Sequence, residues 1–125
     1  MTDRIVGGCK CGLVRYKGAW LDAPMFRCHC RDCQQFSGAD NLPQVGVPAE
    51  NLIVTGPVTT HRRTSASGND LTFSFCADCG AALFKSSTMA SGVIFLCAGS
   101  LSDPPELTFE REVHTDSARR WAVKS

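Results

Sequence analysis

The chain has 125 residues, 43% of them apolar and 20% charged, and 13 Lys and Arg against 12 Asp and Glu leave a net charge of +1. That length supplies one modest core and excludes a two-domain enzyme, and the balanced charge, with no basic run, excludes recognition of nucleic acid by electrostatics. The longest apolar run, Val93 to Ala98, falls far short of the roughly 20 residues a membrane-spanning helix needs.

Taken in chain order, short extended segments separated by turn signals recur and no helical pattern outlasts about two turns, so the expected class is mainly β within a single domain, 1–125. Gly7-Gly8 and Gly12 predict reversals around a strand over Leu13-Val14-Arg15-Tyr16. Asp22-Ala23-Pro24 predicts a turn leading into a strand over Met25-Phe26-Arg27-Cys28, and Asp32 to Ser37 a single helical turn ended by Gly38. A strand over Leu52-Ile53-Val54 precedes a reversal at Gly56-Pro57, and the polar stretch Arg62 to Asp70 reads as a loop or hairpin tip. Leu71-Thr72-Phe73-Ser74-Phe75 alternates like a half-buried strand, whereas Val93-Ile94-Phe95-Leu96 is continuously apolar like a central strand buried on both faces. Ser102-Asp103-Pro104-Pro105 predicts a turn before a final, more exposed strand over Leu107 to Val113. Trp20 and Trp121 are expected as core or interface anchors, and Phe73, Phe75, Phe84 and Phe95 as core residues.

Seven of the eight cysteines fall into three clusters: Cys9-Lys10-Cys11, Cys28-His29-Cys30-Arg31-Asp32-Cys33, and Cys76-Ala77-Asp78-Cys79-Gly80. The opening residues Met1 to Ile5 lack the apolar core of an export signal, so a reducing cytoplasm is expected and a disulfide framework is the weaker alternative. Zinc takes four sulfur donors in a tetrahedron, and the Cys76/Cys79 knuckle, with Gly80 to close its turn, supplies half of one. Cys9 and Cys11, projecting from one side of an extended strand, are the natural other half of a closed, structural site. Cys28, Cys30 and Cys33 then leave a fourth position open, as a catalytic zinc requires. Cys97, His29 or His61 could close that site instead. The apolar setting of Cys97 suits a small buried hydrophobe, and His29, between two ligands, should point away into an outer hydrogen bond. Arg27 and Arg31 flank the three cysteines as candidate charge partners.

These motifs, in this order, resemble the glutathione-dependent formaldehyde-activating (GFA) family, whose domain also occurs in centromere protein V. The resemblance rests on Gly7-Gly8-Cys9-Lys10-Cys11-Gly12 with Val14-Arg15-Tyr16, on Cys28 to Cys33 with Ser37-Gly38, on Phe75 to Gly80 with Leu83-Phe84, on Gly99 to Pro104, and on His114 to Trp121. It implies a small zinc-stabilised fold of short antiparallel strands called a β-tent, with two zincs per chain. Cys9, Cys11, Cys76 and Cys79 match the family's structural zinc, and Cys28, Cys30 and Cys33 its catalytic one. The implied activity is that of a carbon–sulfur lyase, S-(hydroxymethyl)glutathione synthase, with glutathione as thiol and formaldehyde as the small aldehyde. Arg31, Gln35, Phe36, Ser37 and Gly38 would line the substrate side. Gln35 departs from the family, which commonly has a basic residue there, so glutathione's carboxylates would fall to Arg27, Arg31, Arg62 or Arg63. Neither nucleic acid nor a membrane is implied as a partner, and a homodimer is the assembly to test for. Three other readings compete: a lyase for a different thiol, a non-catalytic zinc module that binds a protein or stores metal, and a sensor whose three-cysteine cluster oxidises and releases zinc. Arg62-Arg63 and Arg119-Arg120 read as solvated surface or a grip for a carboxylate, and Asp32 and Asp78 as exposed.

Overall fold

A computed structural model describes residues 3–20, 25–102 and 107–122. The turns expected at Asp22-Ala23-Pro24 and Asp103-Pro104-Pro105 lie outside them, as does the side chain of Trp20. Two sheets carry the architecture. The smaller has strands β1 (Asp3–Gly8), β2 (Arg15–Trp20), β5 (Ile53–Thr55) and β10 (Leu101–Ser102), in the order β10-β1-β2-β5. The larger has β3 (Met25–Cys28), β4 (Leu42–Pro48), β6 (Val58–Thr64), β7 (Asp70–Cys76), β8 (Ala82–Ser87), β9 (Val93–Cys97) and β11 (Arg111–Val113), in the order β11-β3-β4-β9-β8-β7-β6. Every pairing is antiparallel except that of β11 with β3, which is parallel. The mainly β expectation therefore holds, with one parallel edge.

Strand β4 separates two apolar clusters, because successive residues of a strand face opposite sides. Val45 and Val47 join Ile5, Val14, Tyr16, Leu83 and Leu96 in a core drawn from both sheets, which also takes in Cys9 and Cys76. Leu42 packs on the other side with Cys28, Cys33 and Cys97, and Phe26, Cys30, Phe36, Ala82 and Val113 flank them. Each fully buried aliphatic side chain contributes roughly 1.5–3 kcal/mol, so the first cluster carries most of the hydrophobic stabilisation.

Helix α1 (Arg31–Ser37) covers the second cluster. The Cys30 sulfur caps its start, Gly38 ends it in the left-handed region at φ 73°, and the Phe36 ring meets Phe73 at 4.9 Å. Gln34 anchors it from the buried side by donating to the carbonyls of His29 (2.6 Å) and Ser117 (3.0 Å).

Several sequence expectations are corrected here. Gly7-Gly8 makes no reversal but ends β1, where Gly7 pairs with Tyr16 and an added Cβ would collide with the Tyr16 ring and hydroxyl. Arg62 and Arg63 belong to β6, an edge strand whose charged, exposed side chains discourage further pairing, so only 65–69 form the hairpin tip. Leu107 to Val113 yields only the three-residue β11. Strand β9 is central, as expected, yet full burial is confined to Leu96 and Cys97. Trp121 is 67% exposed and is no core residue.

Candidate metal centres

The sulfurs of Cys9, Cys11, Cys76 and Cys79 all lie within 4.8 Å of one another. Cys9 follows the end of β1 and Cys76 ends β7, so this group joins the two sheets. Cys9-Lys10-Cys11 forms a turn rather than an extended strand, and the turn brings the two sulfurs to 3.5 Å. The Cys11 and Cys76 sulfurs stand 3.7 Å apart. Sulfurs bound at ~2.3 Å to one tetrahedral zinc are separated by about 3.8 Å, so the donor set and spacing fit that ion. Backbone N–H groups face the sulfurs: Val14 donates to Cys9 Sγ at 3.2 Å, and Asp78 and Cys79 each to Cys76 Sγ at 3.4 Å. Burial alone would raise the Cys9 thiol, but the Val14 N–H and the neighbouring Cys11 and Cys76 sulfurs outweigh it and pull Cys9 down to about 6. Cys11 moves the other way: against the Leu13 N–H, which would lower it, burial and the Cys9, Cys76 and Cys79 sulfurs push it up to about 12, so the group's negative charge is shared between the sulfurs.

Cys28, Cys30 and Cys33 form the second group, their sulfurs also within 4.8 Å. Cys28 ends β3, Cys30 accepts the Cys33 N–H at 3.4 Å as the helix cap, and Cys33, in the first turn, is fully buried. This group too consists only of sulfur, the donor chemistry zinc prefers, and offers three ligands. The adjacent Cys28 and Cys33 thiols hold Cys30 far below the ordinary thiol range, with help from the Cys33 N–H and the charge of Lys85. Cys33 is pushed up, by Cys28 and Cys30 first and by burial next, with Lys85 opposing. Cys30 is the one residue of the three that is not fully buried.

The cations beside this group are not the ones the sequence suggested. Arg27 donates to the Phe109 carbonyl at 2.7 Å and lies over the Phe109 ring, and Arg31 donates to Gln34 Oε1 at 2.8 Å. Lys85, on β8 and only 8% exposed, instead places its ammonium 3.4 Å from Cys33 Sγ, and the fully buried Gln44 on β4 donates to the same sulfur at 3.5 Å. Sequence reasoning missed both. The register Lys85↔Phe95 and Gln44↔Cys97 sets them on the helix-covered side of the sheet, since directly paired residues share a face.

Cys97 is buried against the second cluster, outside the group of three, and burial pushes its thiol up to about 12. His29 turns to Glu112, with Nε2 2.7 Å from Oε1, in the outer hydrogen bond expected of it. Asp32 is not free: Arg63 pairs with it at 3.0 Å. Of the residues expected to line the substrate side, Arg31 and Gln35 are exposed and Phe36 packs on Phe73. Ser37 Oγ donates to the Asn41 carbonyl at 2.9 Å, and Gly38 caps the helix. Arg62 and His61 lie on the edge strand β6. Two surface cavities, of about 490 and 300 Å³, lie elsewhere: one against β1, β2 and β5 around Arg15, Lys17 and Ile53, the other around Arg62, Ser86 and Gly92. No helix among the described residues is long and apolar enough to cross a membrane.

A family model described as glutathione-dependent formaldehyde-activating enzyme matches residues 4–117. The crystal structure of a Rhodobacter sphaeroides protein is similar in fold, with a TM-score of 0.65 at 18% identity over 80% of this chain and 90% of that one. No curated protein matches the sequence.

Proposed function

This chain belongs to the glutathione-dependent formaldehyde-activating enzyme family, and from that premise we propose that it is a zinc-dependent carbon–sulfur lyase acting on a thiol and a small aldehyde. The reaction joins glutathione and formaldehyde as S-(hydroxymethyl)glutathione, or cleaves that adduct. One S–C bond forms, the thiol proton ends on the former carbonyl oxygen, and nothing is oxidised or reduced. The observation that carries this reading is the contrast between the two sulfur groups: four sulfurs, the number that would complete a zinc tetrahedron, and three, which would leave a fourth position to a substrate.

Cys9, Cys11, Cys76 and Cys79 would hold a structural zinc, and Cys28, Cys30 and Cys33 a catalytic one. A bound zinc there supplies Lewis acidity, favouring thiolate over thiol near neutral pH or polarising the aldehyde oxygen. The chain's own residues shape the rest. Lys85 and Gln44 offset negative charge on Cys33 from the buried side, while Cys30 presents the accessible side of the group. Arg31 and Gln35 face solvent at the helix beside Cys30, with Phe36, Ser37 and Gly38 completing the substrate side. The working unit is the single domain 1–125 in the cytoplasm, where its thiols stay reduced. A lyase for a different thiol is the second reading, favoured by Gln35 standing where a cation would meet a glutathione carboxylate.

Native mass spectrometry of the zinc-replete chain, with and without glutathione, tests the assignment and reports the assembly state in the same spectrum. Two zincs and one glutathione per chain, the glutathione lost in Cys30→Ser, support it. Two zincs with no glutathione at any concentration favour the second reading.

A further inference from the structure

The solvent-facing side of the smaller sheet gathers cations that form no run in the sequence. Ser102 pairs with Val6, Val6 with Lys17 and Lys17 with Ile53, which makes one row across all four strands. Arg15 pairs with Thr55 in the next row on the same face, and Arg4, two residues before Val6, continues that face along β1. Arg4, Arg15 and Lys17 are exposed, and among the described residues no carboxylate lies within salt-bridge distance of any of them. A chain with a net charge of +1 thus concentrates three cations on one face.

The face is hollowed as well as charged. Val6, Arg15, Lys17, Ile53, Thr55 and Ser102 line the cavity of about 490 Å³ against β1, β2 and β5, a size that suits a small organic ligand. Gly8 shapes one wall: a Cβ there would stand 2.7 Å from Arg15 Nη1 and 3.1 Å from its Cδ, so the missing side chain lets the arginine lie against the strand. Arg15 and Lys17, two residues apart on β2, leave the backbone about 7 Å from each other, close enough for both charges to meet on a single group. Beside them Ile53, paired with Lys17, is 56% exposed, an apolar side chain left uncovered at the edge of the cavity. The Ser102 hydroxyl stands at the other end of the row.

We propose that this cavity binds a small phosphate monoester with an apolar organic part, the phosphate held by Arg15 and Lys17 and the organic part packed on Val6 and Ile53. Two cations match a phosphate ester, which carries a charge of about −1.5 to −2 near neutral pH. The Arg15 fork suits two of its oxygens, and the Lys17 ammonium a third as a point charge. A carboxylate brings one charge and two oxygens, too few to satisfy both cations. The cavity lies on the outer face of the smaller sheet, whereas the three-cysteine group lies under α1 on the larger one. The proposal therefore goes beyond the thiol and aldehyde chemistry and does not depend on it.

The test is a titration of the zinc-loaded full chain followed by amide NMR shifts, with phenyl phosphate as the probe and inorganic phosphate, phenylacetate and phenol as comparisons. Phenyl phosphate should shift the amides of β1, β2 and β5 saturably and bind more tightly than each comparison. Arg15→Gln and Lys17→Gln should each weaken it about 5-fold, the upper range for one exposed ion pair. Ile53→Ser should weaken phenyl phosphate and leave inorganic phosphate unchanged. All three side chains are exposed, and melting temperature with zinc content checks that each variant folds. Shifts that never saturate, or that centre on the three-cysteine group, overturn the proposal. So does binding that survives in the double variant, or phenylacetate binding as tightly as phenyl phosphate. A single-stranded oligonucleotide that outcompetes phenyl phosphate would assign the face to nucleic acid and overturn the small-ligand reading as well.

Discussion

Replacing Cys76 by Ser and, separately, Cys30 by Ser should separate the two metal groups by stability. Cys76 is fully buried in the core that joins the two sheets, and its Oγ replacement could still take the Asp78 and Cys79 N–H groups. Its cost therefore comes mainly through the metal. Structural zinc in small domains contributes roughly 10–16 kcal/mol to folding, so losing even a quarter of it with one ligand removes ~2.5–4 kcal/mol. Against a total of about 5–15 kcal/mol that is a large fraction. At ~4 °C per kcal/mol for a domain of this size, the melting temperature should fall ~10–20 °C. Cys30 differs: its sulfur caps α1 by accepting the Cys33 N–H, and serine is among the preferred caps, so the cap changes by less than about 1 kcal/mol. Gln34, the Phe36–Phe73 contact and the Arg63–Asp32 pair still hold the helix. Cys30→Ser should thus lose one of two zincs while melting within ~5 °C of wild type. Thermal unfolding followed by circular dichroism, with metal counted by mass spectrometry on the same samples, reads both. A Cys30→Ser chain melting as low as Cys76→Ser would refute the division, and so would a Cys76→Ser chain that keeps its stability and metal.

Other consequences follow from single contacts. Lys85→Met removes the ammonium 3.4 Å from Cys33 Sγ; with cobalt replacing zinc, the sulfur-to-metal charge-transfer band should move to lower energy, whereas Lys85→Arg should hold it near the wild-type position. Gln34→Leu leaves the His29 and Ser117 carbonyls without their donor; at about 1–3 kcal/mol per buried orphan, urea denaturation should show a loss of roughly 2–6 kcal/mol at unchanged slope. Tyr16 is the single tyrosine, and burial pushes it up to about 12 against its bond to Ser100. Ultraviolet absorbance should therefore report a tyrosine midpoint near 12 in the folded chain. Because the unfolded group ionises near 10, its contribution to stability should be complete below pH ~10 and disappear as pH rises towards 12. A midpoint near 10 in folded protein would show that the hydroxyl is not buried.

The cysteine groups were legible in the sequence because their chemistry is local. A C-x-x-C knuckle followed by glycine prescribes its own turn, and Cys30-x-x-Cys33 sets a capping sulfur and the N–H it accepts within one helical turn, so neither needs the rest of the fold. Strands with a clear pattern were legible too, β3, β7 and β9 among them. The missed ones are atypical: β1 ends in Gly7-Gly8, β4 carries Pro43, Gly46 and Pro48, β6 is polar along its exposed edge, and β8 pairs across an irregularity at Ser74/Phe75. Glycine and proline that read as breaks are accommodated there by close approach and by pairing that local propensity does not encode.

What the sequence determined by itself was the mainly β class and the three short cysteine clusters, since short-range spacing brings together the thiols within each cluster, whereas Cys11 meets Cys76 across 65 residues only because the two sheets pack. Tertiary structure alone decided which charges meet those thiols. Lys85 and Gln44 reach Cys33 across strand registers, and Arg27 turns to Phe109 instead. Arg119 meets Arg31 from 88 residues further along the chain through one buried glutamine. Such pairings depend on strand order and on how a helix seats on a sheet, long-range outcomes of burying one apolar core, and no local spacing carries them.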